Sequence, residues 1–206
     1  MMADSSIYLV DDDPGVRDAL AFLMRSRGLP VRAFDSGPAL LATLDAEMPA
    51  SGPPKGIFLL DVRMEPMIGT RLHDELLARR LRNPVLFLTG HGDIPMVVDA
   101  LKKGAFDFLE KPYSDNALAD RIEQALAVDA AMQAEGAQAA ERDARLASLT
   151  EREREVMGRV AAGKLNKVIA DELHVSVRTV EVHRARVFAK LGVGSAAELA
   201  TLLAQS

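Results

Sequence analysis

Three aspartates stand directly after two short apolar runs in the first half of the chain. Asp11 and Asp12 follow the run Ile7–Val10, and Asp61 ends the run that begins at Ile57. Three like charges held together repel one another and favour a bound cation, and an all-oxygen ligand set with room for water favours Mg²⁺. A metal held there can bridge a carboxylate nucleophile and a phosphoryl donor. The three carboxylates therefore predict a magnesium site that supports phosphoryl transfer.

A hydroxyl and an ammonium follow two later apolar runs. Thr89 ends one of them, and Lys111 follows the run Phe106–Leu109. Both are donors that bind the oxygens of a phosphoryl group. Acids after an apolar run are often only helix caps, and Asp13 before Pro14 is predicted to cap a helix in that way. Five candidate groups at the ends of four different runs favour one shared site over a set of unrelated caps.

The elements that must position these groups follow from the hydrophobic pattern. Continuous apolar strands that alternate with helices indicate a parallel sheet covered on both faces. The carboxyl ends of parallel strands meet at one edge, where ligands bind. The first half is therefore predicted to be an α/β, doubly wound, five-stranded parallel sheet. Its strands are Ile7–Val10, Val31–Phe34, Ile57–Leu60, Val85–Leu88 and Phe106–Leu109, and its helices are Pro14–Arg27, Pro38–Ala46, Thr70–Arg80, Pro95–Lys103 and one from about Asp115.

Two further segments have distinctive compositions. Residues 47–56 hold three prolines and two glycines and are predicted to form a surface loop. Residues 125–147 contain ten alanines among 23 residues and are predicted to continue the fifth helix as a linker. A heptad-like apolar seam in this linker is interrupted at Asp129, Gly136 and Asp143. A partial coiled coil and a solvated spacer both stay open, and the interruptions favour the spacer.

The C-terminal part has a different charge balance. Residues 149–206 hold nine Lys/Arg against seven Asp/Glu, a net charge of +2, whereas the whole chain has a net charge of −5. Four helical segments are predicted, with capping-box spacing at Thr150–Glu153 and at Ser195–Glu198. Helices over 165–173 and 176–191, separated by a turn at His174–Val175, have helix-turn-helix spacing. A small all-α, four-helix domain is therefore expected after the sheet.

The helix over 176–191 is predicted to present basic residues outward. Its inward side is marked by Val177, Val180, Val187 and Leu191, and its basic residues are Arg178, Arg184, Arg186 and Lys190. With one acid, Glu181, the helix carries a net +3, which suits contact with DNA phosphates and entry into a groove. Lys167 on the preceding helix can reach a backbone phosphate. Charge alone would equally fit an ordinary solvated helix.

Composition excludes several classes of protein. The chain has no Cys, which excludes disulfides, thiol catalysis and Cys-ligated zinc. No apolar run approaches the roughly 18–20 residues that span a bilayer, and no signal-peptide pattern is visible at the N-terminus. A cytoplasmic protein with no membrane partner is expected. His73 and His91 have no ligand partner in the pattern, so no metal is assigned to them.

Residues 6–128 resemble the receiver domain of the response regulators, and more narrowly its FixJ-type branch. The resemblance rests on Val10–Asp13, Leu60–Met64 with Gly69, Leu88–Asp93 and Lys102–Pro112. It implies that Asp61 accepts a phosphoryl group and that Lys111 contacts the acyl phosphate. It also implies that Thr89 and Phe108 form the switch pair, and that Asp11, Asp12, Asp61 and the backbone carbonyl of Arg63 hold Mg²⁺.

Residues 149–204 resemble the LuxR-type DNA-binding domain found in response regulators of the FixJ/NarL type. The resemblance implies a recognition helix over 176–190. The candidate groove-facing residues are Thr179, Val182, His183 and Arg186; Lys167, Arg178 and Lys190 are candidate phosphate contacts, and Arg184 is included in the same interface. The implied domains are a receiver over 1–124, a helical linker over 125–148 and a helix-turn-helix domain over 149–206.

The two resemblances together imply a phosphorylation-controlled transcriptional regulator of a two-component system, and not an enzyme. A sensor histidine kinase is expected to phosphorylate Asp61, after which Thr89 turns toward the phosphoryl oxygens and Phe108 follows inward. Homodimerisation on the face of the fourth helix, fifth strand and fifth helix is then expected to pair two DNA-binding domains on double-stranded DNA. RNA polymerase is a candidate partner.

One departure from the receiver pattern keeps alternatives open. The family usually has Pro four residues after the acceptor, whereas Glu65 stands there and Pro66 follows, with the spacing to Gly69 kept. Glu65 adds a carboxylate near the metal, and Glu65 and Pro66 together motivate the alternative of a regulator that binds DNA without phosphorylation. An aspartyl-phosphate hydrolase is disfavoured. The pattern of those enzymes has a second Asp two residues after the nucleophile, and Arg63 stands at that place in this chain. A receiver that acts only through protein contacts is disfavoured by the helix-turn-helix.

Overall fold

The computed structural model describes residues 5–90 and 94–204, without the side chains of residues 49–51 and 94. The chain folds into two compact units, the first ending at Gln133 and the second beginning at Ala134. His91 and the end of the Leu88–Asp93 segment, which carries part of the receiver resemblance, lie outside the described residues.

Five parallel strands form the sheet of the first unit, which confirms the predicted fold class. They are β1 (Ser6–Val10), β2 (Val31–Phe34), β3 (Gly56–Asp61), β4 (Val85–Thr89) and β5 (Asp107–Glu110), in the order β2-β1-β3-β4-β5. The register pairs Val10 with Leu60 and Asp61 with Leu88. Asp11 and Asp61 therefore leave adjacent strands at the same edge.

Helices cover both faces of this sheet. They are α1 (Pro14–Ser26), α2 (Gly37–Ser51), α3 (Gly69–Ala78), α4 (Ile94–Lys102) and α5 (Asp115–Ala147). Along β3, Phe58 and Leu60 pack into one apolar cluster, whereas Ile57 and Leu59 pack into the other. All four side chains are fully buried. A strand buried on both faces must be apolar at every position, which is why these runs could be recognised in the sequence.

The predicted loop over residues 47–56 is wrong in its first half. Helix α2 continues to Ser51, and Gly52 ends it with a backbone N–H that donates to the Met48 carbonyl at 2.9 Å. Gly52 has a φ of 74°, a conformation in which glycine carries no Cβ penalty. The proline-rich composition predicted an end of helix α2 that is too early. A proline removes one hydrogen-bond donor from a helix, but it does not by itself end the helix at its own position.

The long helix α5 carries one buried acid, at a position where the sequence pattern indicated only a break in an apolar seam. Asp129 is only 1% exposed. Its Oδ2 accepts a hydrogen bond from the Gly56 amide at 2.9 Å, and its Oδ1 accepts one from Asn83 Nδ2 at 3.3 Å. Burial raises the pKa of Asp129, and the hydrogen bond from Gly56 opposes that shift. The acid is therefore an anchor of α5 on the sheet.

The described part of the second unit has four helices after the end of α5, as predicted. They are α6 (Glu151–Ala161), α7 (Asn166–Leu173), α8 (Val177–Leu191) and α9 (Ala196–Ala204). A capping box joins Thr150 and Glu153 at the start of α6. Ser176 accepts from the Thr179 amide at the start of α8. These caps satisfy amides that have no partner inside their helices.

Among the helices of the described ranges, no single one is both long and apolar enough to cross a membrane. Helices α8 and α9 meet the length and composition requirement only as a pair, with a bend of 51° between them.

Candidate acidic site and nucleic-acid interface

The three predicted aspartates meet at the carboxyl edge of the sheet. One carboxylate oxygen from each of Asp11, Asp12 and Asp61 lies within 4.8 Å of the others. Asp11 and Asp61 are buried, whereas Asp12 is exposed. The cluster therefore has an inner wall of two carboxylates and one carboxylate that faces solvent.

Asp11 is the most constrained of the three. Its Oδ1 accepts a hydrogen bond from the Asp13 amide at 3.0 Å. Its Oδ2 is buried and accepts no hydrogen bond from any described residue. The Lys111 Nζ lies 3.7 Å from this oxygen, which is too far for a hydrogen bond. Burial raises the pKa of Asp11, and the nearby charge of Asp61 adds to that rise. A buried oxygen without a donor in a cluster of carboxylates fits a divalent cation that prefers oxygen ligands.

Lys111 places its ammonium on the Asp61 carboxylate. Its Nζ donates to Asp61 Oδ1 at 2.8 Å, and its backbone N–H donates to the Thr89 carbonyl at 2.8 Å. Burial on its own lowers the pKa of Lys111, but the hydrogen bond to Asp61 and the charges of Asp61 and Asp11 raise it overall. The side chain is thus a cation held where phosphoryl oxygens would form on Asp61.

The loop after Asp61 turns back against the end of the strand that carries Asp61. The Gly69 amide donates to the Val62 carbonyl at 2.9 Å. A Cβ at position 69 would lie 2.2 Å from the Asp61 carbonyl oxygen, so only glycine fits there. The Glu65 amide donates to Asp12 Oδ2 at 3.3 Å. This contact was not predicted from the sequence, and position 65 can make it only because a residue other than proline stands there.

The predicted switch residues lie on adjacent strands. Thr89 is fully buried, and its hydroxyl donates to the Gly90 carbonyl at 3.1 Å. Phe108 is partly buried and packs against the apolar cluster that contains Phe87, its partner in the strand register. The Thr89 hydroxyl is therefore turned to its own backbone in this structure, and its role in switching stays a prediction. The position of the Arg63 carbonyl as a metal ligand likewise stays a prediction.

His73, to which no metal was assigned, is a core residue. It is 2% exposed and lies edge-on to the Phe87 ring, with 5.9 Å between the ring centres. Burial lowers the pKa of His73, which favours the neutral ring.

The C-terminal unit has helix-turn-helix geometry. Helix α7 ends at Leu173, and the next residue, His174, adopts a left-handed conformation with a φ of 53°. Helix α8 then begins after Ser176. The buried side of α8 holds Val180, Val187 and Leu191, as predicted. Val177 was predicted to face inward and is 41% exposed, because the first turn of α8 extends beyond the core.

One face of α8 is open to solvent and carries basic charge. Arg178, Val182 and Arg186 are exposed and recur every four residues, so they lie along one stripe of the helix. Arg178 also lies 3.6 Å from Glu181. Lys167 is exposed on α7. This face has the charge and dimensions to approach a DNA groove.

Other candidates for DNA contact are held within the unit. Arg184 donates to Asn166 Oδ1 at 3.1 Å and lies over the Phe188 ring, 5.1 Å from its centre. Thr179 and His183 are partly buried. The Thr179 hydroxyl is 2.8 Å from that of Ser176. The assignments of these residues to DNA stay predictions.

Lys190 has a structural partner that its basic charge did not reveal. Its Nζ donates to Glu153 Oε2 at 2.7 Å and to the Ser148 carbonyl at 3.0 Å. The hydrogen bond from Lys190, followed by that from the Thr150 amide, lowers the pKa of Glu153 to about 2. Lys190 therefore ties α8 to the start of α6, and this pairing competes with its predicted contact to a DNA phosphate.

Two families match this chain. Residues 7–123 match the family described as response regulator receiver domain, and residues 147–203 match the bacterial regulatory proteins of the luxR family. The first match overlies the sheet with its acidic site, and the second overlies the helix-turn-helix.

Full-length relatives share both parts. The C4-dicarboxylate transport transcriptional regulatory protein DctR of Rhodobacter capsulatus is 48% identical over 200 residues, which cover 96% of this chain and 98% of DctR. The transcriptional regulatory protein FixJ of Bradyrhizobium diazoefficiens is 42% identical over 202 residues, which cover 98% of this chain and 96% of FixJ.

Solved structures agree with these relatives. The response regulator StyR superposes with a TM-score of 0.87 at 38% identity, over 98% of this chain and 100% of StyR. Full-length FixJ from B. japonicum superposes with a TM-score of 0.59 at 42% identity, over 96% of this chain and 95% of that protein.

Proposed function

This chain belongs to the two-component response regulators, with a receiver domain followed by a LuxR-family DNA-binding domain, and on that premise we propose that phosphoryl transfer to Asp61 promotes its dimerisation and DNA binding. The observation that carries the proposal is the position of Asp61, between a cluster of carboxylates and the ammonium of Lys111, in a chain that also holds a helix-turn-helix.

The donor is the phosphorylated histidine of a sensor kinase. A carboxylate oxygen of Asp61 attacks the phosphorus, an O–P bond forms, the P–N bond breaks, and the electron pair leaves with the imidazole. Asp11, Asp12 and Asp61, with the carbonyl of Arg63, would hold Mg²⁺, which supplies charge neutralisation for the phosphoryl oxygens.

Two side chains respond to the new phosphoryl group. Lys111 already donates to Asp61 and keeps that role by binding a phosphoryl oxygen. The Thr89 hydroxyl leaves the Gly90 carbonyl and turns to another phosphoryl oxygen, and Phe108 moves into the space beside it. Because Phe108 lies on β5, the change reaches the face formed by α4, β5 and α5.

Phosphorylation thereby shifts an existing equilibrium toward a form that dimerises on that face. A dimer pairs two DNA-binding domains for a two-half-site operator, where Val182 and Arg186 approach the groove and Lys167 and Arg178 approach the phosphate backbone. The receiver spans residues 1–124, the linker 125–148 and the DNA-binding domain 149–206. The protein acts in the cytoplasm without enzymatic turnover of a substrate, and RNA polymerase is its candidate partner on DNA.

Intact mass and light scattering test this function. Wild-type protein treated with acetyl phosphate and Mg²⁺ is expected to gain one phosphoryl group and to shift from monomer toward dimer. Asp61→Asn is expected to show neither change. A variant that still dimerises on the same treatment would overturn the assignment of Asp61.

A second function has one observation in its favour. Glu65 places a carboxylate in the loop beside the acidic cluster, where it opposes the approach of an anionic donor. A regulator that binds DNA without phosphorylation would have such a site. Beryllofluoride titration separates the two functions, because this alternative predicts no Mg²⁺-dependent change in the receiver's NMR spectrum.

A further inference from the structure

A concavity beside the acidic site has two carboxylates in its wall. It has a volume of about 630 Å³, and both Asp12 and Glu65 line it. Arg63 lines it as well, and Ile68 and Met96 form its apolar part. Asp12 is also a member of the acidic cluster. A molecule that enters this concavity therefore meets the edge of the magnesium site and Glu65 together.

The place of Glu65 is fixed by its backbone. Its N–H donates to Asp12 Oδ2 at 3.3 Å, so the residue is held against a carboxylate of the cluster. The loop that carries it is closed by the hydrogen bond from Gly69 to the Val62 carbonyl at 2.9 Å. The Glu65 side chain is exposed. Its charge therefore acts on the acidic site through solvent.

We infer that Glu65 is a donor-specificity residue: its charge disfavours free anionic phosphodonors in proportion to their charge and favours Mg²⁺ at the neighbouring carboxylates. The inference rests on the proposed function of Asp61. Two unit charges about 7 Å apart in water interact by about RT, so an exposed carboxylate at such a range changes an ionic encounter by about threefold per unit of partner charge at low salt. The effect fades as salt shortens the screening length.

The same residue also explains why a protein donor would be preferred. A free dianion is repelled by the Glu65 carboxylate, and it brings no cation that would offset this repulsion. A phosphorylated histidine arrives on a protein surface, whose own cations can offset the Glu65 carboxylate. Selection against free donors therefore needs no loss of transfer from a kinase.

The test compares three single variants of the full-length chain at saturating Mg²⁺. Glu65→Gln removes the charge and keeps the backbone donor to Asp12. Glu65→Asp keeps both. Glu135→Gln, at an exposed glutamate on α5, is the charge-matched control. Phosphorylation rates are measured with acetyl phosphate, a dianion, and with phosphoramidate, a monoanion, at low and high salt. Mg²⁺ affinity is measured by NMR titration without any donor.

For Glu65→Gln we expect a rate about tenfold higher with acetyl phosphate and about threefold higher with phosphoramidate at low salt. We expect Mg²⁺ affinity to fall by up to about tenfold, and all differences to shrink in high salt. Glu65→Asp and Glu135→Gln are expected to match the wild type.

Equal effects on the two donors, or an effect that salt does not reduce, would overturn the inference while phosphorylation of Asp61 stands. The same holds if Glu65→Gln matches the wild type in rate and in Mg²⁺ affinity. If the wild type itself accepts no phosphoryl group from either donor and shows no Mg²⁺-dependent response to beryllofluoride, the proposed function fails as well.

Discussion

Replacement of Asp129 by alanine tests the anchor between helix α5 and the sheet. The carboxylate accepts hydrogen bonds from the Gly56 amide and from Asn83 Nδ2. Asn83 Nδ2 also donates to the carbonyls of Pro54 and Gly56 at 2.8 and 3.0 Å, so it keeps acceptors in the variant. The Gly56 amide loses its acceptor in a buried place. One buried donor without a partner costs about 1–3 kcal/mol, and that is the destabilisation expected for Asp129→Ala.

Asparagine at position 129 separates the hydrogen bond from the charge. Its side-chain oxygen can still accept from the Gly56 amide, so the expected cost of Asp129→Asn is below about 1 kcal/mol. Burial raises the pKa of Asp129 above its ordinary value of 3.8. Its contribution to stability is therefore largest below pH 3.8 and falls as pH rises through the folded value. Asp129→Asn removes that dependence on pH.

Native-state hydrogen exchange in the full-length chain measures both effects. We expect the Gly56 amide to lose its protection in Asp129→Ala, and the other amides of β3 to exchange about five- to 150-fold faster. Asp143→Ala is the matched control on the same helix, because the Asp143 side chain is 72% exposed. If Asp129→Ala changes β3 protection no more than Asp143→Ala does, the anchor assigned to Asp129 is wrong.

Three further substitutions test contacts and surfaces of the two units. Gly69→Ala forces a Cβ to within 2.2 Å of the Asp61 carbonyl, so we expect the first unit to lose at least about 2 kcal/mol in urea unfolding followed by NMR. The hydrogen bond from Lys190, together with those from Thr150, lowers the pKa of Glu153 from 4.5 to about 2. The second unit is therefore expected to lose stability as pH falls from 4.5 toward 2, and Lys190→Met is expected to weaken that dependence in circular dichroism melts. Lys167→Ala is expected to weaken DNA binding and to reduce the salt slope by about 1 in fluorescence anisotropy.

Each of these has a control or a contrary result. A first unit that is as stable in Gly69→Ala as in the wild type would contradict the close approach at Gly69. An unchanged acid transition in Lys190→Met would mean that Glu153 does not depend on that ammonium. A salt slope in Lys167→Ala equal to that of the wild type would exclude a phosphate contact by Lys167.

The acidic site was largely predictable because its positions are fixed by the sheet. Strands buried on both faces leave unbroken apolar runs, and parallel strands bring their carboxyl ends to one edge. Asp11, Asp12, Asp61 and Lys111 could be placed on that basis alone. Contacts that come from the loop after Asp61 could not, since the donation from Glu65 to Asp12 spans 53 residues of sequence.

Buried polar groups were harder to predict for a related reason. Asp129 resembled a break in an apolar seam, and its acceptor role depends on Gly56, which lies 73 residues earlier. Lys190 resembled a phosphate contact, and its partner Glu153 lies on another helix. Charge and periodicity give the side of a helix on which a residue lies, but tertiary packing decides whether its charge is free for a ligand.

The central claim is that phosphorylation of Asp61 raises affinity for DNA, and one measurement tests it most directly. Binding to a fluorescent fragment of the protein's own upstream DNA is measured at fixed salt with Mg²⁺, with and without beryllofluoride, for the wild type and Asp61→Asn. We expect beryllofluoride to strengthen binding by the wild type at least about tenfold, as phosphorylation-driven dimerisation requires, and to leave Asp61→Asn unchanged. Equal affinity of the wild type with and without beryllofluoride, or an equal gain in both proteins, would contradict the claim.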